Sequence, residues 1–383
     1  MDGDAGHEPT QVSIIQCFAD LEDPRDGPHT LHKLMDILVV TMCAVIAGCE
    51  SFLQIAEYGR HKEAWLRNFL ELPHGIPSHD TFARVWTVID PAKFQECFMR
   101  WAAALRNATG GKVIAIDGKT LRRSFDRTEG LNPLHLVSAW CSENHISLGQ
   151  VAVDTKSNEI TAIPALLELL AIEGAIVTID AAGCQRAIAS QIRKQEADYV
   201  LALKQNQNSL YDDVTAHFEQ QKTEGFSQPQ CSSHETHEKA HGREEHRTTR
   251  AAPVPESLRN RELWRDLKSL GMVESRRIIA GREESFTRYF ISSLEPDAKQ
   301  LAHAVRSHWS IENSLHWVLD VTFREDDSRI RDRYSAQNLA TLRRLAITLL
   351  KREPTKQSLV TKRMMTGWDD DYMFQVLMAA GKT

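Results

Sequence analysis

Long apolar runs are scarce in this 383-residue sequence. The longest, Leu38 to Gly48, falls well short of the roughly 20 residues that cross a bilayer, and no basic leader with a cleavage site precedes it. A membrane-spanning reading is excluded on that ground, and a cytoplasmic protein is expected. Paired cysteines are lacking too. Cys17, Cys43, Cys49, Cys97, Cys141, Cys184 and Cys231 lie far apart, form no Cys-x-x-Cys, and in several cases sit inside apolar runs as buried free thiols do. Nor is there an excess of positive charge. With a net charge of −6 and a pI near 6.3, the field of the whole molecule does not draw it to nucleic acid, so any such contact needs a local patch. Two stretches qualify: Lys119, Arg122, Arg123 and Arg127, and then Arg329, Arg331, Arg333, Arg343, Arg344, Lys351 and Arg352. Solvated surface charge explains either equally well.

What is present is an ordinary globular composition, 42% hydrophobic and 26% charged, in a chain long enough for about two domains. Residues 1–11 carry acids, Gly and Pro without periodicity and read as a flexible tail. From 12 to 105 the pattern is helical, giving a helical N-terminal domain with possible DNA contacts. Within it, Pro77-Ser78-His79-Asp80-Thr81-Phe82-Ala83-Arg84-Val85 places a capping residue before a short helix on which Thr81 and Arg84 share a face. A recognition helix starts this way, and so does any capped structural helix.

After Gly110-Gly111 the period changes. Val113 to Ile116 is a short apolar run ending in Asp117, the mark of a buried strand. His135 to Cys141 and Ile146 to Val153 read as a hairpin; Ile160 to Ile172 as a helix; Ala175 to Ile179 as a second buried strand ending in Asp180; Gln185 to Glu196 as a helix; and Tyr199 to Leu203 as a third strand. That is an α/β layout with a mixed sheet, spanning 110–352. A polar stretch interrupts it within about 205–295, with strands returning at Val273 to Ile279 and Phe286 to Ser292. A helical stretch from Asp297 and an amphipathic helix with a basic face, Ser335 to Lys351, follow, and 353–383 forms a C-terminal segment.

Two buried strands each ending in Asp are informative together, because ligands in α/β sheets bind at strand ends. A third acid would complete a site for two divalent ions, and the candidates are Glu312, Asp320, Glu325, Asp326 and Asp327. If Trp309 to Val321 is a helix, Ile311, Leu315, Val318 and Leu319 form its apolar stripe; Glu312 borders that stripe and Asp320 falls opposite. Glu312 is therefore selected, with Asp320 in reserve. Three such carboxylates repel one another by on the order of 4 kcal/mol per pair at about 4 Å. A cation between them is required. Oxygen-only ligands select Mg²⁺ or Mn²⁺, and two such ions per site suit phosphodiester cleavage and strand transfer.

Asp117-Gly118-Lys119-Thr120-Leu121-Arg122, Thr178-Ile179-Asp180-Ala181, Tyr199-Val200-Leu201-Ala202-Leu203-Lys204-Gln205-Asn206-Gln207, His241-Gly242-Arg243 and His308-Trp309-Ser310-Ile311-Glu312-Asn313 together resemble the insertion-sequence transposases that include the H-repeat-associated proteins. The likeness covers most of the chain, since Asp23-Pro24-Arg25 and Pro77 to Phe82 resemble that family's N-terminal associated domain. The resemblance implies a ribonuclease H-like mixed sheet with flanking helices and a β-containing insertion. It also implies a DDE triad of Asp117, Asp180 and Glu312 acting as catalytic and metal-binding residues. The implied partners are DNA, both terminal inverted repeats and target, and a second protomer when two ends are synapsed; the implied setting is the bacterial cytoplasm at the nucleoid. Candidate DNA contacts are Lys119, Arg122, Arg123, Lys204, Arg243, Arg306 and His308, with Arg84 in the helical domain. One departure stands out. Related transposases carry Tyr-x2-Arg-x3-Glu-x6-Lys around the third acid, where this chain has Val305, His308, Glu312 and Leu319. The Arg and Lys roles therefore do not transfer, and Arg306 and His308 are the available substitutes.

Other readings are weaker. Gly118-Lys119-Thr120 looks like the end of a phosphate-binding loop, but the Gly that spacing requires is Val113. Cys231, His234, His237 and His241 have zinc-like spacing, and a solvated polar loop explains them as well. His308 and His316, four residues either side of Glu312, read as packing or hydrogen-bonding residues, with metal or phosphate contact as the alternative; Trp309 and Trp317 read as core packing, with stacking on a displaced base as the alternative. Two functional alternatives stay open: a catalytically inactive transposase-derived DNA-binding protein, and a metal-dependent nuclease without strand transfer.

Overall fold

The computed structural model describes residues 14–25, 27, 30–109, 112–125, 130–153, 158–226, 231–240, 243–279 and 282–379. The expected tail over 1–11, together with Arg127, His241 and Gly242, lies outside them. Helices α1 (Ile14–Phe18), α2 (Leu34–Ile46), α3 (Phe52–Leu66), α4 (His79–Val88) and α5 (Pro91–Thr109) come first, then strands β1 (Val113–Leu121), β2 (Leu134–Cys141) and β3 (Ile146–Ala152). Next are α6 (Glu159–Leu169), β4 (Ile176–Ile179), α7 (Arg186–Lys194), β5 (Asp198–Leu203) and α8 (Asn208–Thr223). Four long strands follow, β6 (Ser232–Ala240), β7 (Arg243–Pro253), β8 (Ser269–Ile279) and β9 (Arg282–Ser292). The chain closes with α9 (Ala298–Ile311), α10 (Trp317–Val321), α11 (Arg333–Arg352), α12 (Leu359–Trp368) and α13 (Asp370–Met378). This is a mixed α/β fold with a large mixed sheet and flanking helices. Among the described residues no helix is long and apolar enough to cross a membrane.

Two compact units share the chain: residues 1–111, 118–155 and 312–383 in one, and 112–117 and 156–311 in the other. Within the first, α11 packs directly on α2, α4 and α5.

In that first unit α11 is buried almost without interruption from Ser335 to Leu350. The expected basic outer face is not there. Arg344 is fully buried and Arg343 nearly so, and Nη1 of each lies 3.2 and 3.6 Å, respectively, from Oε1 of the fully buried Glu325. Burial pulls both guanidinium groups below their ordinary range, and Glu325 opposes it. Other polar groups around α11 also bond to the chain itself. The Gln150 amide donates to Thr341 Oγ1 at 2.8 Å, the Thr341 hydroxyl to Gln95 at 3.1 Å, and the Asn338 amide to the Ile89 carbonyl at 2.9 Å. Leu121, Leu134 and Leu136 pack with Ala336 and Ala340, joining the end of β1 and the β2–β3 hairpin to the same helix. Ser78 caps α4 as expected, accepting from the Thr81 amide, and α4 buries Phe82, Val85 and Trp86 while Arg84 stays exposed.

In the second unit the sheet runs in the order β1-β4-β5-β9-β8-β7-β6. β1, β4 and β5 are parallel, and every later neighbour is antiparallel. At the parallel end both faces are covered. Val113, Ile176 and Val200 join Ala298, Leu301 and Ala304 of α9, and the alternate residues Ile114, Val177 and Leu201 are also buried. Continuous apolar runs are the sequence form of such two-sided burial. The polar stretch after Gln205 is more ordered than its lack of period indicates: it contains α8, the strand β6, polar on both faces, and β7, which turns apolar only at Ala251 and Ala252.

Candidate active site

The carboxylates are placed by strand geometry. Ile116 of β1 pairs in register with Ile179 of β4, so Asp117 and Asp180 come next on adjacent parallel strands. Side chains alternate with a period of two, and counting from Val113 and Ile176 puts both acids on the face that carries α9. Strand pairing therefore sets the two residues side by side at the end of the β1–β4 ladder. β1 does not stop at Asp117, as the apolar run implied, but continues to Leu121; its pairing with β4 is what ends there.

Asp180 is the cap of a short 3₁₀ turn, its Oδ1 accepting from the amides of Ala182 at 3.0 Å and Gly183 at 3.4 Å. The turn is tight because Gly183 has no Cβ: one added there would run into the Ile179 and Ile163 side chains. Asn206 closes the neighbouring loop through the Ala181 carbonyl at 2.7 Å. Burial, and after it the Asp180 charge, pushes the Cys184 thiol up to about 12, which removes it as a nucleophile.

On the same face, Thr178 stands two residues before Asp180, and its hydroxyl lies 3.0 Å from His308 Nδ1 on α9. Glu312 begins the next turn of that helix. The chain there widens into a π turn, Glu312 to His316, before α10. Ile311, Leu315, Val318 and Leu319 form the buried stripe that the sequence period requires, and Glu312 is exposed beside it. The buried His316 ring has Nδ1 at 3.6 Å from Glu312 Oε2. Trp309 and Trp317, read as packing residues, are instead exposed; Arg288 lies over the Trp309 ring, 4.7 Å from its centroid.

The expected DNA-contact residues divide into groups. Lys119 is buried, its ammonium 2.6 Å from Asp320 and 3.2 Å from Asp326, so it is engaged inside the fold along with the reserve acid Asp320. Arg122 and Arg123 are exposed and reach Asp326 at 3.1 Å and Asp327 at 3.5 Å. Arg306 meets Glu238 at 2.8 Å. Lys204 is exposed just past the end of β5, at the same end of the sheet as Asp180. Arg243 opens β7, and its side chain lies outside what is described. The zinc-like set cannot share one ion, because Cys231 and His237 are separated by an extended strand of about 20 Å. Sequence reasoning missed Thr178, which is one polar residue inside an apolar run, and the Lys119–Asp320 pair, whose members are distant in sequence.

Residues 108–349 match the family described as the transposase DDE domain, and residues 15–102 match the domain described as associated with it. Two provisionally named transposases of Escherichia coli are similar over nearly the whole chain. YncI of strain O157:H7 is 40% identical over 97% of this chain and 95% of its own length. The H repeat-associated YhhI of strain K12 is 41% identical over 96% of this chain and 98% of its own. Among solved structures, a piggyBac transposase synaptic complex with hairpin DNA aligns at a TM-score of 0.39 and 8% identity, covering 96% of this chain and 75% of that one, a likeness too low to decide anything.

Proposed function

The chain belongs to the transposase DDE domain family, and from that premise we propose that it is a DNA transposase in which Asp117, Asp180 and Glu312 hold the divalent ions of phosphodiester cleavage and strand transfer. The observation that carries this reading is the placement of Asp117 and Asp180 on one face at the ends of paired parallel strands. Two carboxylates about 5 Å apart repel by on the order of 3 kcal/mol at an effective dielectric near 20. Asp180 is held by the Ala182 and Gly183 amides. A hard divalent cation fits this oxygen donor set.

Two further observations support Glu312 as the third ligand. His308, one turn before it, is tied to Thr178 on the Asp180 strand. Lys119, two residues past Asp117, is paired with Asp320 on the helix that continues from Glu312. The element order also supports a ribonuclease H-like core: an antiparallel hairpin after β1, then β4 and β5 parallel to it with helices between.

Mg²⁺ or Mn²⁺, as a pair per site, supplies neutralisation of the phosphate charge and activation of the attacking oxygen of water or a 3′-hydroxyl. The chain's own groups do the positioning. The Ala182 and Gly183 amides fix the Asp180 carboxylate through Oδ1. Thr178 holds the His308 ring, which stands where the related signature has Arg. Lys204 offers an exposed ammonium to the DNA backbone at the acid end of the sheet.

Supercoiled plasmid bearing the repeats that flank the coding region, incubated with protein and Mg²⁺, tests the reading. Joined products are expected. Nicks alone would make the protein a nuclease, and shifted but intact DNA would make it a binding protein. Strand transfer also requires two ends held together, which supports a homodimer on paired ends; light scattering showing one protomer per paired complex would reject that.

A further inference from the structure

The outer end of the β6–β7 hairpin carries a cluster that the carboxylate site does not use. His237 and His246 are direct cross-strand partners, and their rings stack with centroids 3.9 Å apart and planes within 11°. Glu244 stands two residues before His246 on the same face of β7. Its Oε1 lies 2.8 Å from His237 Nε2 and 3.3 Å from His246 Nε2, and the three donor atoms all fall within 4.8 Å of one another. All three side chains reach solvent. The neighbouring surface is charged. Lys239 is the cross-strand partner of Glu244, and Arg276, opposite His246 on β8, is held by Glu283 at 2.6 and 2.7 Å.

We propose that His237, Glu244 and His246 form a surface site for a borderline divalent transition ion, Zn²⁺ in the first instance. Two imidazoles and one carboxylate select such ions over Mg²⁺, which prefers oxygen alone. The three donor atoms lie close enough to be bridged by one ion at about 2.0–2.1 Å from each. Cross-strand pairing fixes the two histidine backbones, and the stacked rings have to turn about their side-chain bonds for both in-plane Nε2 lone pairs to meet one ion. Three protein ligands leave a further position to water. The bound ion pins the outer end of the hairpin, several strands away from Asp117 and Asp180 in the sheet order. The site stands independently of the transposase reading.

The test is a Zn²⁺ titration of the full chain in excess Mg²⁺, read by competition with a chromophoric chelator, with Co²⁺ absorption as the report of ligand geometry. Wild type is expected to take one more Zn²⁺ than the double variant His237→Ala/His246→Ala. Glu244→Gln, which keeps size and strand pairing, is expected to bind at least about 10–100-fold more weakly. Circular dichroism without metal checks that each variant keeps its fold. Equal stoichiometry and affinity in wild type and Glu244→Gln would overturn the proposal, leaving the trio as two histidines hydrogen-bonded to one carboxylate. Plasmid joining in Mg²⁺ by the double variant is expected to be unchanged, so the two readings fail separately.

Discussion

Charge is handled in opposite ways in the two units. In the first, Glu325, Arg343 and Arg344 are buried together, and Lys119 is buried against Asp320 and Asp326. Every one of those ions meets an opposite charge from the chain itself. In the second, Asp117 and Asp180 are half-exposed at the end of an apolar sheet, and Asp180 is satisfied through backbone amides rather than a cation. The first arrangement holds a fold together and asks nothing of solvent. The second sets two acids on one face of adjacent strands, the arrangement on which the proposed metal site rests.

That contrast predicts which substitutions cost activity and which cost stability. The largest effect is expected from Asp180→Asn. The amide oxygen still caps Ala182 and Gly183, so the thermal midpoint should hold, while plasmid joining falls by on the order of 10³-fold, as when a strong electrostatic stabiliser is lost. A variant with full joining would break the comparison. Glu325→Ala should do the reverse: two guanidinium groups are left uncompensated, and denaturant unfolding should show a loss of about 3–5 kcal/mol. Unchanged stability there would mean that solvent reaches α11.

Gly183→Ala sharpens the boundary between the two behaviours. The new methyl presses on Ile179, overpacks by about 1–3 kcal/mol, and moves the turn that fixes Asp180. Joining should drop by about 10²-fold if the carboxylate shifts by an ångström.

Lys351 gives a pH signature of the first unit. Burial pulls its ammonium down from 10.5 to about 8. Between those values the unfolded chain binds more protons than the folded one, so stability from this group rises as pH climbs from about 8 to 10.5 and is lowest below 8. Melting curves of wild type and Lys351→Met across that range should converge at high pH, and parallel curves would contradict the burial. The smallest effect belongs to Arg122→Ala. Its pair with Asp326 is at the surface, so stability should change by under about 1 kcal/mol at most.

The same division decided what could be read in the sequence. Val-Ile-Ala-Ile and Ile-Val-Thr-Ile announce two-sided burial without any tertiary knowledge, and the acids that follow them were legible for that reason. Ser-Ser-His-Glu-Thr-His-Glu-Lys-Ala gives no such signal, because β6 is polar on both faces and exists through its ladder with β7. α11 misled in another way. Its arginines looked like an outer face, and only Glu325, in a separate short turn far from them in sequence, lets them lie inside. The tryptophans flanking Glu312, read as core packing with base stacking as the alternative, are exposed as Glu312 is.

The most direct test replaces Mg²⁺ with Fe²⁺ in the absence of DNA and maps where locally generated hydroxyl radicals cut the backbone. Cuts are predicted near residues 117, 180 and 312 together, all suppressed by excess Mg²⁺. Cuts near 117 and 180 with none around 312 would contradict a site built from all three carboxylates.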